Sequence, residues 1–349
     1  MGSRIKLLLI VAIFSLVQGC SSISYYWEKV QGHSEILNNQ RPIKEVIADS
    51  KTKLETRQRL INAEKARNFA SQVLKLPDND SYKNYVDIDR DYVVWTVVAT
   101  PAYSIKPKQW CFLIVGCLSY RGYFSKQSAE EFAADLKKKN MDVYISGTKA
   151  YSTLGWFDDP LLSSMLYKSE ANLVGIIFHE LAHQQMYVED DTAFNEGFAS
   201  TVELLGIKAW FEQMNNKKGY AEYQLAKQRD KEFKQLLNKT RLKLKALYEL
   251  SLTNEKKRQE KKLLFVKLKN DYAALKKQWN GYGGYDAWMS KDLNNAHLAL
   301  VATYNDWIPA FKALFKKLNY QFKDFYKEVQ VLADKPKQQR ENSLLQLME

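Results

Sequence analysis

Residues 178–203 read FHELAHQQMYVEDDTAFNEGFASTVE, and the first six residues of this stretch indicate both a helix and its chemistry. On an α-helix, residues four apart lie on one face, so His179 and His183 can present two imidazole nitrogens to one metal ion while Glu180 projects beside them. The apolar residues around them would bury the rest of the helix and leave the polar side chains in one cleft. The spacing therefore predicts two metal ligands and a general base.

A catalytic zinc ion needs a third protein ligand and an open position for water. Glu196, which lies thirteen residues after His183, is one candidate for this ligand. Glu203, one heptad further along and on a similar helix face, is the alternative. Histidine and glutamate donors suit zinc better than other common metals, so Zn²⁺ is the predicted cofactor.

The string NEGFAS at 195–200, followed by Thr-Val-Glu, resembles the glutamate-bearing helix of the gluzincin peptidases, particularly the M1-type aminopeptidases. In that family the matching glutamate, here Glu196, is the third zinc ligand. Residues 178–203, with YYWEKVQGH at 25–33 and GCLSYRGYF at 116–124, are similar to predicted zinc aminopeptidases found as bacterial lipoproteins. The resemblance covers nearly all of the chain after residue 20. It implies a zinc metallopeptidase whose substrate is a peptide.

In such an enzyme Glu180 would accept a proton from water and deliver it to the leaving amine. The developing oxyanion also needs a donor, for which Tyr304 is favoured over His297, seven residues earlier. Asp191 or Asn195 is expected either to orient a metal-bound imidazole or to be an ordinary loop residue.

The sequence supports cleavage at the substrate N-terminus less strongly than it supports peptidase activity. M1-type enzymes bind the substrate amine through a GxMEN segment, which is missing here. Asp158, Asp159 and Glu170 are candidate partners for an α-ammonium group, and the alternative for each is a loop or helix-cap residue. An aminopeptidase is therefore the favoured function. The alternatives are a zinc endopeptidase and a non-catalytic envelope lipoprotein that acts by binding.

The N-terminus has the pattern of an export signal. Arg4 and Lys6 precede an apolar run at 7–17, and Gly19-Cys20 follow shortly after it. The run is too short to span a bilayer as a helix. Cleavage before Cys20 would make this cysteine the lipid-bearing first residue. By resemblance to bacterial lipoproteins, with no aspartate after the cysteine, we expect an outer-membrane anchor facing the periplasm.

Two further cysteines, Cys111 and Cys117, are six residues apart. In an exported chain such a pair favours a disulfide, and the alternative is two buried free thiols.

The formal net charge is +12 over 349 residues. Export argues against a nucleic-acid partner, and the lysines concentrate in one helical stretch, so the charge indicates solvation and attraction to anionic surfaces. A hydrophobic fraction of 46% is ample for a folded enzyme, and the oligomeric state stays unknown.

The periodicities predict a mostly helical α+β fold with a zincin-like catalytic lobe, a small β-sheet and a long helical-hairpin insertion. The strand Met141 to Ser146 would be an edge strand that pairs with the substrate backbone. The predicted units are a signal peptide at 1–19, an N-terminal helical segment at 20–90, a catalytic core at 91–215, a hairpin arm at 216–280, and a helical segment at 281–349 that completes the site.

Three local expectations depend on proline and polarity. Pro42 is predicted to open a helix at its first turn, and Pro309 to interrupt a helical stretch from Asp292 to Leu318. The polar tail from Asp334 is predicted to be frayed. In the arm, a break between two helices is expected at Ser251 to Asn254.

Overall fold

The structure is a computed structural model that describes residues 25, 27–112, 116–150, 153, 157–166, 169–301 and 307–349. Its described residues are mostly helical with small sheets, which confirms the predicted fold class. No helix in this part of the chain is long and apolar enough to cross a membrane. After a helical stretch at 27–38, the helices are α1 (Ile43–Ala48), α2 (Leu54–Gln72), α3 (Lys126–Lys138), α4 (Glu170–Gln185), α5 (Thr192–Gln213), α6 (Lys217–Glu249), α7 (Asn254–Gln278), α8 (Asp286–Met289), α9 (Asn295–Leu298), α10 (Ile308–Lys317), α11 (Phe322–Ala333) and α12 (Lys337–Gln346).

The strands form short sheets around this helical body. In the main sheet, of order β6-β3-β7, both pairings are antiparallel, and β3 pairs with β7 along its whole length, from Val94 opposite Thr148 to Pro101 opposite Met141. A second sheet has the order β1-β2-β8, and β4 and β5 form a third. The strands are β1 (Arg41–Pro42), β2 (Asn84–Val86), β3 (Val94–Pro101), β4 (Trp110–Phe112), β5 (Gly116–Leu118), β6 (Arg121–Tyr123), β7 (Met141–Thr148) and β8 (Leu161–Leu162).

The disulfide between Cys111 and Cys117 joins β4 to β5. Helix α3 begins after Ser125, whose hydroxyl accepts a hydrogen bond from the backbone N–H of Ser128 at 3.2 Å. One face of this helix, with Ala129, Ala133 and Leu136, is buried in the same cluster as side chains of β3 and β7. The main sheet thus has an apolar layer of its own.

The largest core lies around α4 and α5. The ring of Phe178 on α4 stacks on Phe69 of α2 at 5.7 Å, and Phe69 meets Trp210 of α5 edge-on at 5.3 Å. On the other side of α5, Phe198 packs against Phe311 of α10 and Phe325 of α11. Burial of such rings contributes on the order of 2 to 3 kcal/mol each, so α4 and α5 are held firmly from both sides.

Helices α6 and α7 form the predicted hairpin arm, which we define as residues 217–278. The arm has its own buried cluster, which includes Phe233, Leu244 and Leu268. Helix α6 ends at Glu249 and α7 begins at Asn254, where the Thr253 hydroxyl accepts from the N–H of Lys256. The break predicted at 251–254 is therefore confirmed.

The expectation at Pro42 holds in part, and those at Pro309 and at the C-terminus were wrong. Helix α1 does begin directly after Pro42, but Pro42 is its N-cap residue and lies one position before its first turn. Pro309 lies in the first turn of α10, where its missing N–H has no partner to lose, so it starts a helix and does not interrupt one. The tail from Asp334 is ordered as α12, because Arg340 and Leu344 are buried against the rest of the protein.

Candidate metal centre

Helix α4 positions two of the predicted ligands. Ser169 caps its N-terminus by accepting a hydrogen bond from the N–H of Asn172. Leu181 and Ala182 are fully buried, so the helix cannot rotate without exposing its apolar face. This orientation leaves His179 and His183 on the adjoining face, where their Nε2 atoms lie 3.1 Å apart.

Helix α5 positions the third predicted ligand, and its start is fixed by two polar contacts. The Asp191 carboxylate caps the helix by accepting from the N–H of Phe194 at 3.2 Å, and its other oxygen accepts from Arg340 at 2.7 and 3.0 Å. The amide of Asn195 exchanges two hydrogen bonds with the backbone of Val188, at 2.7 and 2.8 Å. These contacts hold the short connection from α4 in place and direct Glu196 back towards the histidines.

The three predicted ligands meet at one point. A Glu196 oxygen lies 3.4 Å from His179 Nε2, and its other oxygen lies 3.6 Å from His183 Nε2. One ligand atom from each of the three residues lies within 4.8 Å of the others, so the group could hold a metal ion. Glu180 follows His179 directly, is half-buried, and its charge acts on the His179 ring.

Glu203, the alternative ligand, lies on the other side of the His179 ring. One of its oxygens is 3.3 Å from His179 Nδ1, and the other accepts from the Lys227 ammonium at 2.7 Å and from the Tyr223 hydroxyl at 3.4 Å. Lys227 and Tyr223 both belong to α6 of the arm. Glu203 therefore orients the imidazole whose other nitrogen faces Glu196, and the arm helix in turn holds Glu203.

Carboxylates set the charge of this site. Burial opposes charging of His179, but hydrogen bonds to Glu196 and Glu203 outweigh it and raise its pKa to about 10. Burial and the neighbouring His179 lower the pKa of His183 to about 4. Burial works against ionisation of Glu203, yet His179 and Lys227 bring its pKa down to about 2. The site thus places two ionised carboxylates, Glu196 and Glu203, beside the His179 ring, and their negative charge favours positive charge there.

Two tyrosines near Glu196 were missed from the sequence. Burial raises the pKa of Tyr120, and the charges of Tyr187 and Glu196 add to this effect. Burial together with Asp190, Glu189 and Glu196 raises the pKa of Tyr187. Both phenols keep their protons at neutral pH, and both side chains are partly exposed, at 41% and 52%. The sequence signal that could have identified Tyr120 is its place in the GCLSYRGYF segment, which contains β5 and β6.

Other candidates have different contacts. The Asp159 carboxylate accepts from the N–H of Thr153 at 2.8 Å. Glu170 accepts from the indole of Trp210 at 3.0 Å and lies nine residues before His179, a rise of about 13 Å along the helix. Asp158 is exposed in the same loop as Asp159.

The two residues predicted from the sequence as donors to the oxyanion are His297 and Tyr304. The His297 ring stacks on Tyr144, with centroids 4.1 Å apart, and its Nδ1 accepts from the N–H of Asn294 at 3.2 Å in a capping box. These contacts give His297 a structural role. Tyr304, like Cys20, lies outside the described residues.

Comparison with known proteins gives one family. A family model described as "Putative aminopeptidase" matches residues 24–344. Searches of curated proteins and of solved structures found no match. The family match spans both the HELAH helix and the NEGFAS helix, together with the arm that holds Glu203. Because it covers most of the chain, this protein belongs to that aminopeptidase family.

Proposed function

We propose that this protein is a zinc-dependent aminopeptidase with a zincin-like site of the gluzincin type. The observation that carries the proposal is the cluster of His179 Nε2, His183 Nε2 and the Glu196 carboxylate: the two nitrogens lie 3.1 Å apart, and they lie 3.4 and 3.6 Å from the two different carboxylate oxygens. A tetrahedral zinc ion with ligand bonds of about 2.0 to 2.1 Å requires its ligand atoms to be about 3.3 Å apart. The donor set and its spacing fit zinc, and three protein ligands leave a fourth position open.

Each protein group has a definite task in peptide hydrolysis. A bound zinc ion would polarise the scissile carbonyl and lower the pKa of water in the site. Glu180 accepts the proton of the attacking water and donates it to the leaving amine. Glu203 holds the His179 ring so that Nε2 faces the metal position. The buried helix faces keep these groups from moving apart.

The oxyanion requires a hydrogen-bond donor, and three tyrosines are candidates. Tyr304 remains the candidate from sequence. Tyr120 and Tyr187 are supported by their electrostatic contact with Glu196, their partial exposure and their protonated phenols. Removing one such donor costs on the order of 10²-fold in kcat, so tyrosine-to-phenylalanine variants at the three positions would identify the donor.

The edge of the main sheet offers a place for an extended substrate. Strand β7 pairs with β3 on one side and ends the sheet of described strands on the other. Asn294 already donates to the backbone oxygen of Val143 at 3.0 Å. The next backbone groups that face the same way belong to Ile145 and Gly147, because peptide orientation alternates along a strand. These two residues are the proposed partners of the substrate backbone.

The proposed location is the periplasmic face of the outer membrane, through lipid on Cys20. It is supported by the sequence at 4–20, which lies outside the described residues. Cys20→Ser should abolish incorporation of labelled fatty acid and allow high salt to release the protein from the membrane fraction. Labelling of the serine variant would contradict this location.

The experiment that tests the function measures zinc content and amine release in parallel. Protein that begins after Cys20 is incubated with matched peptides carrying either a free or an acetylated N-terminus. We expect one zinc per chain and cleavage of the free-amine peptides alone. Glu180→Gln is the control, because it keeps the three ligands and should bind zinc while losing at least about 10²-fold in kcat.

The other outcomes have separate meanings. Cleavage of acetylated peptides as well would identify an endopeptidase. Zinc without turnover in either protein would indicate a lipoprotein that acts by binding. A chain that binds no zinc would overturn the proposal.

A further inference from the structure

The arm carries the whole net charge of the protein. Residues 217–278 contain 19 Lys and Arg against 7 Asp and Glu, a net charge of +12. The full chain has 52 basic and 40 acidic residues, so its remainder contains 33 of each and is neutral. A charge that only kept the protein soluble would not need to be confined to one element. The arm is therefore a distinct, strongly basic surface.

The acidic residues of the arm are mostly neutralised within it. Five of the seven acidic residues form ion pairs with basic residues three or four positions away on the same helix. These pairs are Asp230–Lys234, Glu249–Lys245, Glu255–Arg258, Glu260–Lys256 and Asp271–Lys267. Pairs of this kind contribute little to stability, but they leave other lysines uncompensated, and among these Lys239, Lys243 and Lys262 are exposed.

The outer end of the arm, residues 239–263, combines this charge with exposed leucines. Leu250 and Leu252 lie in the connection between the two helices and are 55% and 38% exposed. On the helices just behind them, Leu242 and Leu263 are 51% and 60% exposed. Apolar side chains at a tip, surrounded by lysines, match the boundary of a lipid bilayer, where leucines reach the acyl region and ammonium groups meet phosphates.

The composition of the arm fits nucleic acid poorly. Of its 19 cations only three are arginines, and lysine acts as a point charge that cannot read planar base edges or phosphates in pairs. The rings of Phe233, Tyr272 and Trp279 are buried in the cluster between the arm helices and cannot stack on bases. Diffuse positive charge with aliphatic tips is better suited to a lipid surface.

The arm is also braced so that its outer end is held in a fixed direction. Lys261 bonds the Asp142 carboxylate of β7 at 2.5 Å, and the same carboxylate oxygen accepts from the N–H of Asn295 at 2.9 Å. The Tyr248 hydroxyl donates to the Asn295 side chain at 2.8 Å. These partly buried contacts anchor one helix of the arm to β7 and the other to α9, close to the connection at 250–253.

We propose that the outer end of the arm, residues 239–263, binds the surface of a membrane rich in anionic phospholipid headgroups. Lys239, Lys243 and Lys262 supply attraction to phosphates, and Leu250 and Leu252 enter the headgroup boundary. Each lysine near such a surface strengthens binding by about fivefold. The interaction is independent of peptidase activity and of any lipid on the N-terminus.

The test measures vesicle binding by residues 25–349, which include every described element and exclude the N-terminal segment. Vesicles of phosphatidylethanolamine and phosphatidylglycerol at 3:1 are compared with phosphatidylcholine vesicles by co-sedimentation. We expect binding to the anionic vesicles alone, weakened when salt is raised from 50 to 300 mM. Glutamine at Lys239, Lys243 and Lys262 should weaken binding at least tenfold.

Two further variants separate charge from apolar contact. The same three-fold Lys→Gln change at Lys312, Lys316 and Lys323, exposed on α10 and α11, should leave binding unchanged. Serine at Leu250 and Leu252 should remove the binding that survives high salt.

Several results would overturn the proposal. These are equal binding to both kinds of vesicle, equal losses in the two lysine variants, or equally tight binding of an acidic peptide or single-stranded DNA. Thermal unfolding of each variant checks that the fold is retained. Zinc content should stay unchanged, because the substitutions alter none of the proposed metal ligands.

Discussion

At the scale of single residues, Glu203 shows that the role of a carboxylate depends on which imidazole nitrogen it faces. Sequence spacing placed Glu196 and Glu203 on similar faces of one helix and could not separate a ligand from a supporting group. In the structure Glu196 faces Nε2 of both histidines, whereas Glu203 faces Nδ1 of His179. The distinction depends on ring orientation, which the packing of α4 and α5 determines.

Glu203→Gln should weaken zinc binding by about 10- to 100-fold, because the His179 ring loses the charged partner that orients it. The affinity can be measured by competition with a chromophoric chelator at neutral pH. Glu212→Gln is the matched control, since Glu212 lies on the same helix and is 62% exposed. Equal zinc affinity in the wild type and Glu203→Gln would show that Glu203 has no such role.

His297 makes stability depend on pH. Burial, followed by the charge of Lys291, lowers its pKa from the ordinary 6.5 to about 4. As pH falls below 6.5, the histidine therefore takes up a proton in the unfolded state before it does so in the folded state. The stabilisation is present above about pH 6.5 and is lost as pH falls towards 4, by about 2 kcal/mol between pH 7 and 5.

This pH effect can be measured as the free energy of unfolding in urea. Wild type and His297→Gln are compared at both pH values, so that contributions from other groups cancel. The variant should lose less stability on acidification. Equal losses in the two proteins would contradict the assignment.

At the scale of elements, the close approach of α4 and α5 brings the ligands together. A Cβ atom built on Gly206 of α5 would lie 2.7 Å from side-chain atoms of Leu74 and Phe178, which leaves no room for a methyl group. Phe178 directly precedes His179. The spacing of the two helices at this glycine is therefore coupled to the position of the first ligand.

Gly206→Ala should lower the free energy of unfolding by about 1 to 3 kcal/mol, because the added methyl group overpacks the helix interface. We also expect weaker zinc binding, since Phe178 must shift. Urea unfolding and the chelator competition measure the two effects. A variant as stable as the wild type would show that the interface yields without cost.

Elements with strong periodicity could be predicted from the sequence. The HELAH motif lies on a helix as expected, and the arm breaks at the predicted position between its two helices. The two-residue strands β1 and β8 could not be predicted, because each exists through pairing with β2 from a distant part of the chain. Tyr120 was missed for a similar reason: its electrostatic interaction with Glu196 joins residues that are far apart along the chain.

At the scale of the whole molecule, the two ends of the described chain stabilise the site between them. Arg340, 4% exposed, bonds the Asp191 carboxylate that caps the Glu196 helix, and also donates to the backbone oxygens of Ala333 and Lys335 at 2.8 and 2.9 Å. From the other end, α2 packs Phe69 against Phe178 and Trp210. Neither contact was visible in the sequence, because the partners are far apart along the chain.

Arg340→Met should lower the free energy of unfolding by about 3 to 5 kcal/mol, because it leaves the buried Asp191 carboxylate without its charged partner. Lys337→Met, on the exposed face of the same helix, should change it little. Adding Asp191→Asn to the arginine variant should restore part of the loss. If the two single variants were equally stable, the buried pair would not stabilise the fold.

The position of Arg340 near the end of the chain also has a consequence for biosynthesis. A growing chain contains His179, His183 and Glu196 long before Arg340 has been made. Until then the cap of the Glu196 helix lacks its buried partner, so the candidate metal centre reaches its final form only after residue 340 has been made. A product released early through a premature stop would carry all three ligands yet hold them loosely. The contact of Arg340 with Asp191 thus acts as a check that synthesis has passed residue 340.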